Sequence, residues 1–260
     1  MKQSQFYYLL RRGLFSAGSA IIKSGLVMFN KFTTAGLSHP VQGSAEFNGT
    51  SDYITTEKVL VPTGAEDFTI MAWVNRNSNT GGSQEILSQW ISANSNNSFF
   101  FGFNLSNVRF SDSWNNIVVA GAGDLNKWFH LCGVNDGGSN SYIYLDGSLK
   151  ATKGSALTYT GQAEAIIGRQ GALTSEYFNG NLANVAIWNR ALTSDEINSV
   201  MWKPYQALNA TESNGLQAWY SLDDITSPAA SLATMEQLAT DKDATIENKA
   251  AITAAINSLS

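Results

Sequence analysis

The stretch that decides the fold is Tyr177-Phe-Asn-Gly-Asn-Leu-Ala-Asn-Val-Ala-Ile-Trp-Asn-Arg-Ala-Leu-Thr-Ser-Asp-Glu-Ile197. Apolar residues alternate with polar ones in its first half, which is typical of a β-strand with one buried face. Its second half contains Thr193-Ser-Asp-Glu196, a capping box whose hydroxyl and carboxylate bond the first free amides of a helix. The stretch therefore predicts a strand that leads directly into a short helix, which Pro204 ends.

The residues on either side of this stretch form short alternating runs, and this pattern predicts many short strands. Clusters of Asn, Gly and Ser separate them, and these residues favour tight turns. Asp146-Gly147, between two alternating runs, predicts a type I′ hairpin. The pattern indicates a β-sandwich or jelly roll. The predicted strands are residues 44–47, 53–56, 68–75, 85–89, 99–104, 107–111, 117–120, 128–135, 141–145, 148–152, 164–168, 180–188 and 216–222.

Length and charge limit the classes of function. At 260 residues the chain has room for one large sandwich with small accessory segments. The net charge is −5 and only 14% of residues are charged, so nucleic acid and anionic membranes are not predicted partners. The single cysteine, Cys132, excludes an intrachain disulfide and is expected in the core.

Two segments flank the predicted sandwich, which gives three parts: an arm at 1–42, a sandwich at 43–226 and a helical tail at 227–260. Apolar residues recur in the arm at roughly helical spacing, interrupted by glycines. The arm either packs along its own sandwich, docks onto a neighbouring subunit or lies on a membrane surface. The tail is either an oligomerising helical element or an independently docked helix. Neither a signal peptide nor a transmembrane anchor is expected.

Several segments resemble, in order, those of laminin-G-like, concanavalin A-like lectin domains. Phe47-Asn-Gly-Thr-Ser-Asp-Tyr-Ile54 resembles the opening strand pair, and Asp67-Phe-Thr-Ile-Met-Ala-Trp-Val74 resembles the next strand. The segments 127–130, 142–147, 166–169, 177–180 and 185–192 continue the series. The resemblance covers about residues 44–202 and implies an antiparallel jelly-roll sandwich. Bacteriophage decoration, head-fibre and tail-fibre proteins carry domains of this kind.

Many members of that family bind calcium at one rim of the sandwich and recognise sugars or proteins there. The resemblance places calcium ligands at Asp52 and at an acidic pair that is Ala183-Asn184 in this chain. Calcium prefers several hard oxygens, usually with carboxylate charge. One carboxylate and one amide make a weak site, so no cofactor is expected. The Asp52 carboxylate is then expected to form hydrogen bonds within its own turn.

Residues suited to catalysis are sparse. The two-carboxylate arrangement that glycoside hydrolysis needs is not evident, since Asp195-Glu196 and Asp223-Asp224 are adjacent pairs that point apart. His39 lies in a linker, and His130 shares one strand face with Cys132, without further metal ligands at useful spacing. We therefore expect a protein without enzymatic activity and without a bound metal.

Sugar contact is the best-supported binding chemistry. Trp90 and Trp114 lie at strand ends beside Asn-rich loops, and Asn115 and Asn116 follow the second of them. An aromatic face beside amide groups suits a sugar ring, which has an apolar face and hydroxyl edges. The alternative is that both rings pack in the core, as expected for Trp73, Trp188 and Trp219. The candidate ligand-binding residues are Trp90, Trp114, Asn115, Asn116, Asp52 and Asn184.

Three functions remain open. The first is a structural display protein of a virion, held by residues 1–42 and 227–260 to other subunits as a homo-oligomer, with host-surface glycans as a candidate ligand. The second is an extracellular lectin-like or adhesion module. The third is an unusual glycan hydrolase. The flanking segments and the low charge favour the first.

Overall fold

The structure is a computed structural model that describes residues 43–90, 98–112, 117–171 and 174–222. Within these ranges the chain is mostly β-strand, with one short helix, α1 (Ser194–Val200), and one 3-10 turn (Tyr205–Ala207). The strands are β1 (Ala45–Asn48), β2 (Ile54–Thr55), β3 (Phe68–Arg76), β4 (Ser83–Trp90), β5 (Ser98–Asn104), β6 (Asn107–Ser111), β7 (Ile117–Gly121), β8 (Trp128–Asp136), β9 (Asn140–Leu145), β10 (Ser148–Lys153), β11 (Ile166–Ile167), β12 (Asn179–Trp188) and β13 (Leu216–Tyr220).

The strands form two antiparallel sheets that pack as a sandwich. The seven-stranded sheet has the order β1, β12, β3, β8, β9 and β10, and β13 pairs with the second half of β12. The six-stranded sheet has the order β2, β11, β4, β5, β6 and β7. The all-β antiparallel sandwich that the sequence predicts is therefore confirmed.

Phenylalanines fill much of the core between the sheets. Phe99, Phe101 and Phe103 alternate along β5 and all lie in this core, because successive side chains of a strand point to opposite faces. The Phe99 ring meets Phe68 and Phe110 edge-on, at centroid distances of 5.6 and 5.8 Å. Edge-to-face packing of this kind adds to the stabilisation from burial.

A second apolar cluster covers the outer face of the seven-stranded sheet. Its buried members are Met71, Cys132, Val134, Ala186, Trp188, Leu192, Ile197, Val200, Leu216 and Trp219. Helix α1 supplies Ile197 and Val200 to it. The predicted capping box is confirmed, since the Thr193 hydroxyl accepts from the Glu196 amide and the Glu196 carboxylate accepts from the Thr193 amide.

The predicted hairpin turn is also confirmed. Asp146 and Gly147 have φ angles of 49° and 72°, which is the left-handed conformation that a type I′ turn requires at both central residues. The Asp146 carboxylate accepts from the backbone amide of His130 at 2.8 Å, and this bond fixes the turn to strand β8.

Each predicted strand corresponds to an observed one, although β2, β11 and β13 are shorter than the predicted residues 53–56, 164–168 and 216–222. Strand β11 ends where Gly168 takes a φ of 88° and its amide bonds the Ile86 carbonyl. The predicted arm at 1–42 and tail at 227–260 lie outside the described residues and stay predictions. Among the helices of the described residues, none is long and apolar enough to cross a membrane.

Candidate functional site

Asp52 lies in the turn after β1, where it bonds its own loop. The Asn48 amide donates to its carboxylate at 3.1 Å, and the Ser51 hydroxyl lies 3.4 Å from the other oxygen. The Asn48 side chain in turn accepts from the Thr50 and Ser51 amides. Asp52 therefore has the turn-stabilising role that the sequence favours.

Asn184 has a structural role in a bulge of β12. It adopts a φ of 49°, a conformation that Asn tolerates better than most residues. The side chain is buried, and its oxygen accepts from the Trp219 indole nitrogen at 3.2 Å. The backbone amide donates to the Ser221 carbonyl at 3.1 Å. An amide oxygen used in this way fixes the position of the indole.

The structure does not bring Asp52 and Asn184 together. Asn48, which bonds Asp52, pairs with Asn179, and Asn184 lies five residues further along β12, or about 16 Å at the usual rise per residue. No group of three or more His, Cys, Asp or Glu side chains suited to a metal occurs among the described residues. The two residues do not fit the calcium site that the family resemblance implies. That no calcium is bound stays a prediction.

The predicted aromatic contacts have mixed outcomes. Trp90 is 4% exposed and packs edge-on against Phe100 at 5.6 Å, so its ring is not available to stack on a sugar. Trp114, Asn115 and Asn116 lie outside the described residues, and their roles stay predictions. The predicted burial of Trp73, Trp188 and Trp219 is confirmed.

His130 and Cys132 are buried side by side on the outer face of β8. Burial lowers the pKa of His130 to about 3 and raises the pKa of the Cys132 thiol. The imidazole packs against the Trp73 ring at a centroid distance of 5.5 Å. The carboxylate of Asp124, in the loop before β8, pairs with Lys127 at 2.8 Å. His130 and Cys132 are therefore core residues, as the sequence favours.

A polar depression lies at the Ser83 end of β4, the end away from Trp90, and we call it the rim pocket. Its volume is about 180 Å³. The described residues that line it are Gly49, Ser78, Thr80, Gly81, Ser83, Gln84, Glu176, Tyr177 and Asn179. They include one phenol ring, two amide side chains, three aliphatic hydroxyls and one carboxylate.

Strand pairing brings the parts of the rim pocket together. The turn after β1, the loop after β3 and the start of β12 all lie at this edge, because β12 pairs with both β1 and β3. The Gln84 side chain joins two of them, since its oxygen accepts from the Asn179 amide at 3.3 Å and its nitrogen donates to the Ser78 carbonyl at 3.0 Å. The pocket wall is thus held by hydrogen bonds.

A buried charge cluster supports the pocket from the outer face of the six-stranded sheet. Arg109 on β6 pairs with Glu85 on β4, and its guanidinium also lies 3.2 Å from the Glu176 carboxylate. Arg109 is 1% exposed and Glu85 is fully buried, whereas the Glu176 side chain retains 21% exposure. The guanidinium lies over the Phe100 ring at 4.2 Å. Glu176 is therefore the member that reaches the pocket.

Burial and Arg109 act on Glu176 in opposite directions. Burial raises the pKa of the Glu176 carboxyl, and the positive charge of Arg109 lowers it by a smaller amount. For Arg109 the larger effect is also burial, which lowers the pKa of the guanidinium while Glu176 raises it. Neither the pocket nor this cluster is predicted from the sequence. The available signal is one charged residue in each of two strands, since Glu85 is the sole charge in β4 and Arg109 the sole charge in β6.

Several solved structures share this β-sandwich fold. A protein from Bacteroides ovatus described as a candidate carbohydrate-binding protein has a TM-score of 0.50 and 20% identity, and the alignment covers 71% of this chain and 52% of that protein. The CBM40 of the Ruminococcus gnavus IT-sialidase has a TM-score of 0.50 and 15% identity, covering 62% of this chain and 98% of that domain. The K499G mutant of NanB sialidase from Streptococcus pneumoniae has a TM-score of 0.51 and 15% identity, and the alignment covers 66% of this chain and 30% of that protein.

The sequence itself defines the family. Residues 48–198 match the Laminin_G_3 family, described as the concanavalin A-like lectin/glucanases superfamily. The match covers more than half of the chain, and the chain belongs to this family. No curated protein sequence matches the chain significantly. The chain spans about half of the Bacteroides protein and under a third of the NanB sialidase, and these likenesses concern the fold.

Proposed function

We propose that this domain is a glycan-binding module without enzymatic activity, and that it contacts sugar at the rim pocket. The observation that carries the proposal is the composition of the pocket, in which Tyr177 stands beside the amides of Gln84 and Asn179. An aromatic face suits the apolar side of a sugar ring, and amide and hydroxyl groups suit its hydroxyl edge. The volume is below the roughly 300–1,000 Å³ of a drug-sized site, so the pocket suits one terminal sugar.

Two further features support this proposal. The folds that resemble this one include a candidate carbohydrate-binding protein and a carbohydrate-binding domain of a sialidase. Glycoside hydrolysis uses two carboxyl groups that both face the glycosidic bond. Among the described residues of the rim pocket only Glu176 carries a carboxylate, and the neighbouring Glu85 is fully buried and paired with Arg109. This arrangement favours binding over hydrolysis.

The Tyr177→Ala variant tests the proposal. We expect it to lose at least about tenfold in affinity for any glycan that the wild-type chain binds, which is about 1.4 kcal/mol. Tyr142→Ala is the matched control, because Tyr142 is half-buried on β9, beside Tyr144, and does not line the rim pocket. The measurement is a glycan array followed by calorimetric titration of the best ligand. A Tyr177→Ala variant that binds as tightly as the Tyr142→Ala control contradicts the assignment of the pocket.

We also propose that the module is displayed on a virion, such as a bacteriophage head or tail fibre, through residues 1–42 and 227–260. The support is that both segments lie outside the family match, which ends at residue 198. We expect the full chain to be a homo-oligomer at micromolar concentration and a chain without both segments to be a monomer. Light scattering after size exclusion measures this. A monomer in both forms contradicts the anchoring role.

A further inference from the structure

We infer that the rim pocket selects neutral and amino sugars and excludes acidic ones. The inference rests on the proposed function and concerns the same site. Glu176 is the only charged side chain among the described residues that line the pocket. A ligand that enters therefore meets a carboxylate and several uncharged dipoles, with no cation among these residues to receive an acid group.

The neighbouring Arg109 does not reverse this balance. Its single positive charge faces two carboxylates, those of Glu85 and Glu176, so a negative charge remains in the cluster. Arg109 is also nearly inaccessible, and its guanidinium lies over the Phe100 ring. The negative charge that remains is carried by the most exposed of the three groups, and it faces the pocket.

An acidic sugar would have to displace the Glu176 side chain to become the partner of Arg109, and the burial of Arg109 opposes this. The Glu176 carbonyl accepts from the Glu85 amide at 3.1 Å, which attaches the residue to the edge of β4. Gly102 on the neighbouring strand β5 pairs with Glu85 and packs closely against it. A Cβ at Gly102 would lie 2.8 Å from the Glu85 carboxylate. An acid group would therefore have to displace the Glu176 side chain from a guanidinium that is itself only 1% exposed.

A second arginine near this edge, Arg76, also fails to offer a cation to the pocket. Its side chain points into the sandwich, with the guanidinium 3.9 Å from the centroid of the Phe103 ring. One of its nitrogens donates to the Leu105 carbonyl at 2.9 Å. Arg76 thus faces an aromatic ring and a backbone carbonyl, and Arg109 faces two carboxylates and an aromatic ring.

The chemistry then predicts an order of affinity. A protonated amine can form a charge-assisted hydrogen bond to Glu176, which is roughly twice as strong as a neutral one. A carboxylate on the ligand meets a like charge in a partly desolvated site and loses affinity. Neutral sugars fall between these two cases.

The test compares matched glycans on the full chain. The probes are lactose against 3′-sialyllactose and methyl N-acetylglucosaminide against methyl glucosaminide, with a glycan array to extend both comparisons to other scaffolds. We expect each sialylated glycan to bind at least tenfold more weakly than its neutral partner, and each free amine to bind about three- to tenfold more tightly than its acetylated partner. The Glu176→Gln variant should reduce both differences to less than threefold.

The outcomes separate the two claims. If no glycan binds, the proposed function fails and the inference fails with it. If glycans bind but the sialylated forms bind as tightly as their neutral partners, the inference fails while the proposed function stands. The wild-type comparison decides the matter even if the Glu176→Gln variant does not fold.

Discussion

Replacing Arg109 with methionine is expected to lower the free energy of unfolding by about 3–5 kcal/mol. The reason is that Glu85 is fully buried and pairs with Arg109, so the variant leaves a buried carboxylate on the outer face of the six-stranded sheet without its counter-charge. Methionine preserves much of the apolar stem that packs over Phe100. Chemical denaturation monitored by tryptophan fluorescence measures the change.

A second substitution isolates the cause. The Arg109→Met/Glu85→Gln double variant should recover at least half of the loss, because the amide removes the unpaired charge at almost constant volume. A double variant that is as unstable as Arg109→Met would show that the packing of the arginine stem, and not the charge, accounts for the loss.

The pH dependence of the same variant provides an independent check. Arg109 lowers the pKa of Glu176 while burial raises it, so removal of Arg109 leaves the carboxyl with a still higher pKa. A carboxyl whose pKa is higher in the folded than in the unfolded state favours folding at low pH and opposes it as the pH rises. The stability lost by Arg109→Met should therefore be smaller at pH 5 than at pH 8.

The strands were predictable because their information is local. Alternation along each strand sets which side chains face the core, and turn residues mark where strands end. The capping box at Thr193 and the turn at Asp146-Gly147 depend on neighbours within four residues, and both are confirmed. The family resemblance extended this to the order of the strands.

The candidate site was not predictable because its information is non-local. The rim pocket combines residue 49, residues 78–84 and residues 176–179, which meet through the pairing of β12 with β1 and β3 and through the hydrogen bonds of Gln84. The burial of Trp90 has the same origin, since its ring packs on Phe100 of the neighbouring strand. Asn184 shows a third case, in which a position expected to bind a ligand instead satisfies a bulge and an indole.

Replacing Trp188 with alanine is expected to lower the free energy of unfolding by about 3–5 kcal/mol. Trp188 is fully buried at the end of β12, meets Trp219 edge-on at 6.1 Å and donates to the Glu212 carbonyl at 2.8 Å. The Glu212 carboxylate also accepts from Ser199 at 2.7 Å and pairs with Lys203, so the indole helps to fix the chain that follows α1. Denaturant titration measures the loss.

Trp202→Ala is the control for this second variant. Trp202 is 48% exposed, and its ring packs in a tilted arrangement against Trp73 at a centroid distance of 5.4 Å. We therefore expect its replacement to lower the free energy of unfolding by less than about 1 kcal/mol. Equal losses for the two variants would contradict the view that the cluster beneath α1 is a true second core.

Trp188 lies nine residues along β12 from Asn179, on the face away from the rim pocket. Glycan affinity in Trp188→Ala should therefore stay within about twofold of wild type while the chain is folded, because the pocket is held by Gln84 and the Glu85–Arg109–Glu176 cluster.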